Sequence, residues 1–190
     1  MPGTDGRPLP PLVWRALAAA ESEDFGDSSR PSVGRLLAAL AASKPKGRLG
    51  ESGTGLGAGT AWLVSGMSVG GVLVTVERDR QRAAQARELF SGDERVTVLT
   101  GQWTELRAHA PFDVLFCDGG GKQEGPDGLI GLLAPAGILV LDDFAPADSW
   151  PPRYRDSADE LRLRYLTHPA LSAVELQVEP DMAVVLAVRR

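Results

Sequence analysis

The stretch RLGESGTGLGAGTAWL, residues 48–63, holds five glycines between positions 50 and 59. Glycines this dense occur where a backbone must turn tightly or lie against a ligand. Gly53-Thr54-Gly55-Leu56-Gly57-Ala58 fits the pattern G-x-G-x-x-G/A of a nucleotide-binding strand–turn–helix. Glu77 stands twenty residues beyond Gly57, where an acid that takes ribose hydroxyls belongs. A strand over 48–52 should therefore enter the loop and a helix over about 59–66 leave it. A tight turn with no ligand is the plain alternative.

Outward from this loop, strands and helices alternate. GVLVTVE (71–77), RVTVL (95–99), FDVLFC (112–117) and GILVLDD (137–143) are apolar runs of strand length. Between them the patterns predict helices over 79–90, about 103–108 and 126–134. Near-continuous apolar strands separated by helices imply a parallel sheet covered on both faces. Upstream, a short helix is predicted near 11–20. A second is marked by Val33, Leu36, Leu37, Leu40 and Ala41 and ends before Pro45. Downstream, a helix over about 156–167, capped by Asp156 or Ser157, precedes LSAVELQVE (171–179) and MAVVLAVRR (182–190). The turn at Pro180–Asp181 is too tight for anything but an antiparallel pair. The fold class is α/β: a Rossmann-like, doubly wound, mostly parallel seven-stranded sheet with an antiparallel C-terminal hairpin. Residues 1–27 read as a tail and short helix, frayed over 1–9, and 28–190 as a single domain.

Composition bounds the function. With 43% hydrophobic and 24% charged residues, the 190-residue chain is ordinary globular protein. A net charge of −5 argues against a nucleic-acid or anionic-membrane surface, both of which need a basic face. One cysteine permits no internal disulfide and fits a reducing, cytoplasmic setting. The N-terminal stretch is broken by Arg15 and does not read as a signal peptide.

Electrostatics chooses the ligand. Ligands of open α/β sheets bind at the carboxyl ends of the strands, and here those ends carry Glu51, Asp118, Asp142 and Asp143. Two unit charges 4 Å apart interact by roughly 4 kcal/mol at an effective dielectric near 20. Each close carboxylate therefore penalises the pyrophosphate of a nicotinamide dinucleotide and favours a nucleoside bearing positive groups.

At this point the residues match a family. ESGTGLGAGT (51–60) resembles the E-x-G-x-G-x-G motif of class I S-adenosylmethionine-dependent methyltransferases. VTVERD (74–79) resembles their second-strand acid, FDVLFCDGG (112–120) their fourth strand and LLAPAGILVLDD (132–143) their fifth. The likeness runs from about residue 28 to the C-terminus. Asp118 with Asp142–Asp143, and the SRPSVGRLL lead-in (29–37), look most like small-molecule O-methyltransferases of the catechol type.

By this resemblance Gly53, Gly55 and Gly57 admit the cofactor backbone-close, and Glu51 stands near its ammonium. Glu77 takes the ribose, and Gln102 and Trp103 line the adenine pocket. Thr60, Arg78 and Asp118 complete the cofactor set. Asp118, Asp142 and Asp143 are the positions at which the catechol-type enzymes hold Mg²⁺, and Asp118, Lys122 and Asp142 would act in catalysis. DGGGK (118–122) is one residue longer than the family's usual spacing, and Gly50 and Ser52 should weaken their strand. The implied reaction is methylation of a small-molecule hydroxyl, with Mg²⁺ optional and a homodimer in keeping with the family. A cofactor binder without catalysis, or an NAD-dependent oxidoreductase, are the other readings. Cys117, His109 and His168 read as structural.

Overall fold

The computed structural model describes residues 6–26 and 28–190; part of the frayed start expected over 1–9 lies outside them. Pro11 and Pro31 open the first two helices, α1 (Pro11–Ser22) and α2 (Pro31–Ala42). The missing N–H and fixed φ of proline suit a first helical turn. Val33, Leu37 and Ala41 of the predicted stripe are buried. So are Val13 and Ala16 of α1, in the same apolar cluster.

The sheet is built as the alternation implied. Its parallel strands are β1 (Arg48–Ser52), β2 (Val72–Glu77), β3 (Val96–Thr100), β4 (Phe112–Cys117) and β5 (Leu133–Phe144). The hairpin β8 (Leu171–Glu179) and β9 (Met182–Arg189) joins antiparallel to β5, giving the order β3-β2-β1-β4-β5-β9-β8. Successive side chains alternate faces. Val114 and Phe116 of β4 pack into the cluster under α1, α2 and α3 (Ala58–Gly66), while Leu115 and Cys117 pack into the opposite one. Helix α4 (Arg80–Phe90) is capped by Asp79, whose carboxylate accepts from Gln81 N and Arg82 N, both at 2.9 Å. No helix among the described residues is long and apolar enough to cross a membrane.

The short helix expected over about 103–108 is present as a 3-10 helix, Trp103–His109. Two local expectations are corrected. The helix expected over 126–134 stops at Ile130 (α5, Pro126–Ile130), because Leu133 already pairs with Phe112 as the first residue of β5. The helix expected over 156–167 begins only at Glu160 (α6, Glu160–Leu166). Its cap is Asp159, which accepts from Arg162 N at 3.0 Å, and not Asp156 or Ser157. The preceding residues fold instead into a small hairpin, β6 (Arg153–Tyr154) with β7 (Ser157–Ala158).

Both residues expected to weaken β1 have a packing or bonding role in it. A Cβ on Gly50 would lie 2.9 Å from the Phe112 ring, so the glycine makes room for a neighbour's aromatic side chain. Ser52 Oγ donates to Gly120 O at 2.6 Å and ties β1 to the loop after β4. The chain's order reverses between β1 and β4. The loops leaving these two strands diverge into a crevice, the place where open α/β sheets bind ligands.

Candidate active site

That crevice is a cavity of about 660 Å³. The glycine loop forms its floor through Gly53 and Gly55. Glu77, Gln102, Trp103, Asp118, Asp142 and Asp143 stand on its walls, and Arg78 lines it as well. Glu77 is 6% exposed. Its Oε2 accepts from Gly55 N and its Oε1 from Asp79 N, both at 2.9 Å, which fixes the carboxylate and leaves further acceptor capacity on each oxygen.

Glu51, Gly57, Thr60 and Lys122 are not on the wall. Gly57, with φ 94, caps α3 from below. Thr60 Oγ1 donates to Glu51 Oε2, which also accepts from Thr75 Oγ1 at 2.6 Å. Glu51 thus acts from beneath the cavity. Its other oxygen, Oε1, has no partner, as have the hydroxyls of Ser28 and Ser29 nearby. Burial pushes the Glu51 carboxyl up to about 7 against the pull of the two threonine hydroxyls.

Asp142 and Asp143 sit where the β5–β9 pairing breaks, between Leu141 and Phe144. Asp143 adopts φ 63, a conformation most side chains avoid. Such an irregularity turns side chains that a regular strand would alternate across the sheet. Carboxylate oxygens of Asp118, Asp142 and Asp143 consequently all lie within 4.8 Å of one another. Burial, then the charge of Asp143, raises Asp118 to about 7; burial and the charge of Asp118 raise Asp142 strongly. Asp142 Oδ1 is buried without a hydrogen bond. Lys122 is itself buried and stands behind the cluster. Its Nζ donates to Asp142 O at 3.0 Å and lies 3.6 Å from Asp143 Oδ2. The same Nζ lies 3.9 Å from Asp142 Oδ1, too far for a hydrogen bond, and the three carboxylate oxygens form a donor set that suits a hard divalent cation.

A prediction follows from Glu51. An ordinary carboxyl releases its proton near 4.5, whereas the folded Glu51 keeps it to about 7. Between those values the folded state binds more protons, so raising the pH favours unfolding. In chelator, the protein is expected to melt roughly 5 °C lower at pH 8 than at pH 5.5, corresponding to about 2 kcal/mol. Asp118 and Asp142, also raised, steepen the dependence in the same direction, so Glu51→Gln should reduce it by the Glu51 share without abolishing it. A thermal melt series at both pH values checks it.

Several wall residues were not among the expected site residues. Phe25, Ser28, Ser29 and Arg30 come from the loop before α2, the last two opening the SRPSVGRLL lead-in, and Met182 comes from the start of β9. Arg30 Nη1 bridges the two ends, meeting Glu179 at 2.9 Å and Asp181 at 2.6 Å, and Ser32 Oγ donates to Glu179 at 2.5 Å. The hairpin turn thereby closes against the N-terminal loop. Cys117 is fully buried, as expected of a core residue, and burial lifts its thiol to about 12. His168 pairs with Asp127 at 3.2 Å, away from the cavity.

Comparison with known proteins agrees with this geometry. The family described as "Methyltransferase domain" matches residues 51–144, from Glu51 through the acid cluster. A Mycobacterium tuberculosis protein designated an O-methyltransferase is 32% identical over 140 residues, covering 68% of this chain and 62% of that protein. The chain thus spans less than two thirds of the curated relatives it matches. Among solved structures, the Bacillus cereus O-methyltransferase in complex with SAH superposes with a TM-score of 0.77 at 23% identity, covering 96% of this chain and 92% of its own. A Klebsiella pneumoniae protein described as an O-methyltransferase superposes at 0.76 with 25% identity, covering 96% and 91%.

Proposed function

We propose that the chain is a class I S-adenosylmethionine-dependent methyltransferase that methylates a hydroxyl oxygen of a small molecule, assisted by Mg²⁺; the methyltransferase-domain match over residues 51–144 and the O-methyltransferase relatives support this reading. The observation that carries the reading is the acid cluster, in which Asp142 Oδ1 is buried without a hydrogen bond and faces Lys122 Nζ only at 3.9 Å, set against a glycine-floored cavity.

The residues divide the work. Gly53 and Gly55 let the backbone approach a nucleoside, and Glu77 offers acceptors to two ribose hydroxyls. Gln102 and Trp103 border the adenine end, and Gln102 can accept from an exocyclic amine through its amide oxygen. Glu51, from beneath through Oε1, and Asp118, on the wall, draw a positively charged amino-acid tail to the opposite end. S-adenosylmethionine supplies an electrophilic methyl group when bound, and Mg²⁺ held by Asp118, Asp142 and Asp143 would lower the pKa of a ligating hydroxyl. Lys122, behind the carboxylates, favours the ionised form of an acceptor oxygen and balances the negative charge of the cluster. Positioning and electrostatics are thus the main sources of acceleration supplied by the chain.

Two ligand experiments test the reading. S-adenosylhomocysteine should raise the melting temperature and NAD should not; protection by NAD alone would reverse the assignment. A panel of catechols and phenols should yield methylated product, and binding without product from any of them would leave a cofactor binder. Glu77→Ala is expected to weaken S-adenosylhomocysteine at least about 100-fold, since it removes two charge-assisted bonds worth roughly 1.5–3 kcal/mol each. Titration calorimetry measures the loss, and an unchanged affinity would mean the ribose lies elsewhere.

A further inference from the structure

Lys122 follows three consecutive glycines, Gly119, Gly120 and Gly121. Glycine loses more freedom on ordering than any other residue, so a lysine at the end of such a run needs something outside the run to place it. Trp103 supplies a template. A Cβ on Gly120 would lie 2.9 Å from the indole, one on Gly121 3.2 Å and one on Gly128 2.8 Å. The loop therefore lies backbone-close on the ring, which no side chain at these three positions would allow. Glu124 fastens it there. Its Oε1 accepts from Trp103 Nε1 at 3.2 Å, and its Oε2 accepts from Gly121 N at 2.9 Å. From the other side Tyr165 Oη donates to Lys122 O at 2.8 Å. Lys122 Nζ reaches Asp142 O at 3.0 Å.

We propose that Glu124, acting with Trp103, is a positioning residue for methyl transfer: the pair sets the glycine loop so that Lys122 stands against the acid cluster. This rests on the methyltransferase reading above. Glu124 stands at the edge of the cavity and bonds to Trp103 and Gly121, not to the acids or Lys122 Nζ; it acts through the loop. A glutamine at 124 keeps one acceptor oxygen where two are used, so one of the two ties is lost.

The test uses the full chain and the variants Glu124→Gln, Trp103→Phe and their combination. Trp103→Phe keeps an aromatic plate and removes the indole N–H. In Glu124→Gln, amide hydrogen exchange over residues 119–124 should speed up at least fivefold while the rest of the protein is unchanged. The kcat should fall about tenfold and its pH profile should move, with S-adenosylhomocysteine affinity staying within threefold. The double variant should exchange little faster there than the worse single variant, because both remove the same tie. In Glu124→Gln, unchanged exchange over 119–124, an unmoved pH profile with full kcat, or a cofactor affinity that falls as far as kcat would each overturn the proposal; Trp103→Phe, at a residue that also borders the adenine end, is read by exchange over 119–124 alone. If the parent protein turns over no acceptor, the functional reading fails, and the exchange measurement alone then decides whether the pair holds the loop.

Discussion

Replacing Asp142 by alanine is expected to lower the turnover of a methylated phenol by two to three orders of magnitude and to remove any dependence on Mg²⁺. S-adenosylhomocysteine affinity should stay within about threefold. Asp142 is 2% exposed, and its Oδ1 is buried with no hydrogen bond. A buried carboxylate oxygen left in this state is costly, and a hard cation is the partner that the three converging acids would accept. Lewis-acid assistance is worth several kcal/mol; a loss of about 3–4 kcal/mol corresponds to the predicted factor. Stability separates this effect from damage to the fold. Burial and the charges of Asp118 and Asp143 oppose ionisation of Asp142, so in chelator at pH 8 Asp142→Asn should melt no lower than the parent. Turnover of the parent that is equal in chelator and in Mg²⁺ would end the metal assignment and leave Asp142 as a strand-end acid.

How much of this was legible in the sequence depends on the distance over which the signal acts. β1, β4 and β8 fall on the predicted residues because their apolar runs, or in β1 the glycine loop that ends it, are local. The acids were legible because strand ends converge by topology. Once the order β1-β4-β5 is set, Asp118 and Asp142 must be neighbours. The bulge that brings Asp143 to the same side could not be read, since it arises from pairing with β9, forty residues away. The apparent defect at Gly50 is likewise settled by Phe112, on a different strand. Helix ends failed where a competing bond won: Leu133 to β4, and Asp159 to Arg162 N. Glu51 was read as a ligand contact because its place in the motif is fixed. Its burial follows from Thr60 and Thr75, whose hydroxyls turn it downward. Arg30 and Met182 reach the cavity from opposite ends of the chain; the lead-in around Arg30 is legible as a segment, but nothing local places either residue at the cavity.

Gly53→Ala should be the most damaging single-methyl change in the cavity, lowering stability by about 3–4 kcal/mol and abolishing S-adenosylhomocysteine binding at concentrations that saturate the parent. Gly53 has φ 95, outside the range an alanine adopts without strain. Left-handed conformations cost non-glycine residues roughly 1–2 kcal/mol. The added Cβ would also sit 2.6 Å from Gly119 N and 2.9 Å from Gly119 Cα. These are backbone atoms, and they are held: Ser52 O accepts from Asp118 N at 2.9 Å and from Gly119 N at 2.7 Å. Overpacking against atoms that cannot swing aside adds about 1–3 kcal/mol. Relief would have to part the two loops, and Asp118 would move with them. Gly119→Ala meets the reverse contact, its Cβ 2.8 Å from Gly53 Cα. The two changes open one gap, so the double variant should lose clearly less than the sum of the singles. Gly92 provides the control, because nothing lies within 4 Å of a Cβ there. Gly92→Ala should leave both melting temperature and ligand affinity near those of the parent. If Gly53→Ala melts with Gly92→Ala and still binds, the contact between the loops after β1 and β4 does not shape the site, and the placement of Asp118 needs another cause.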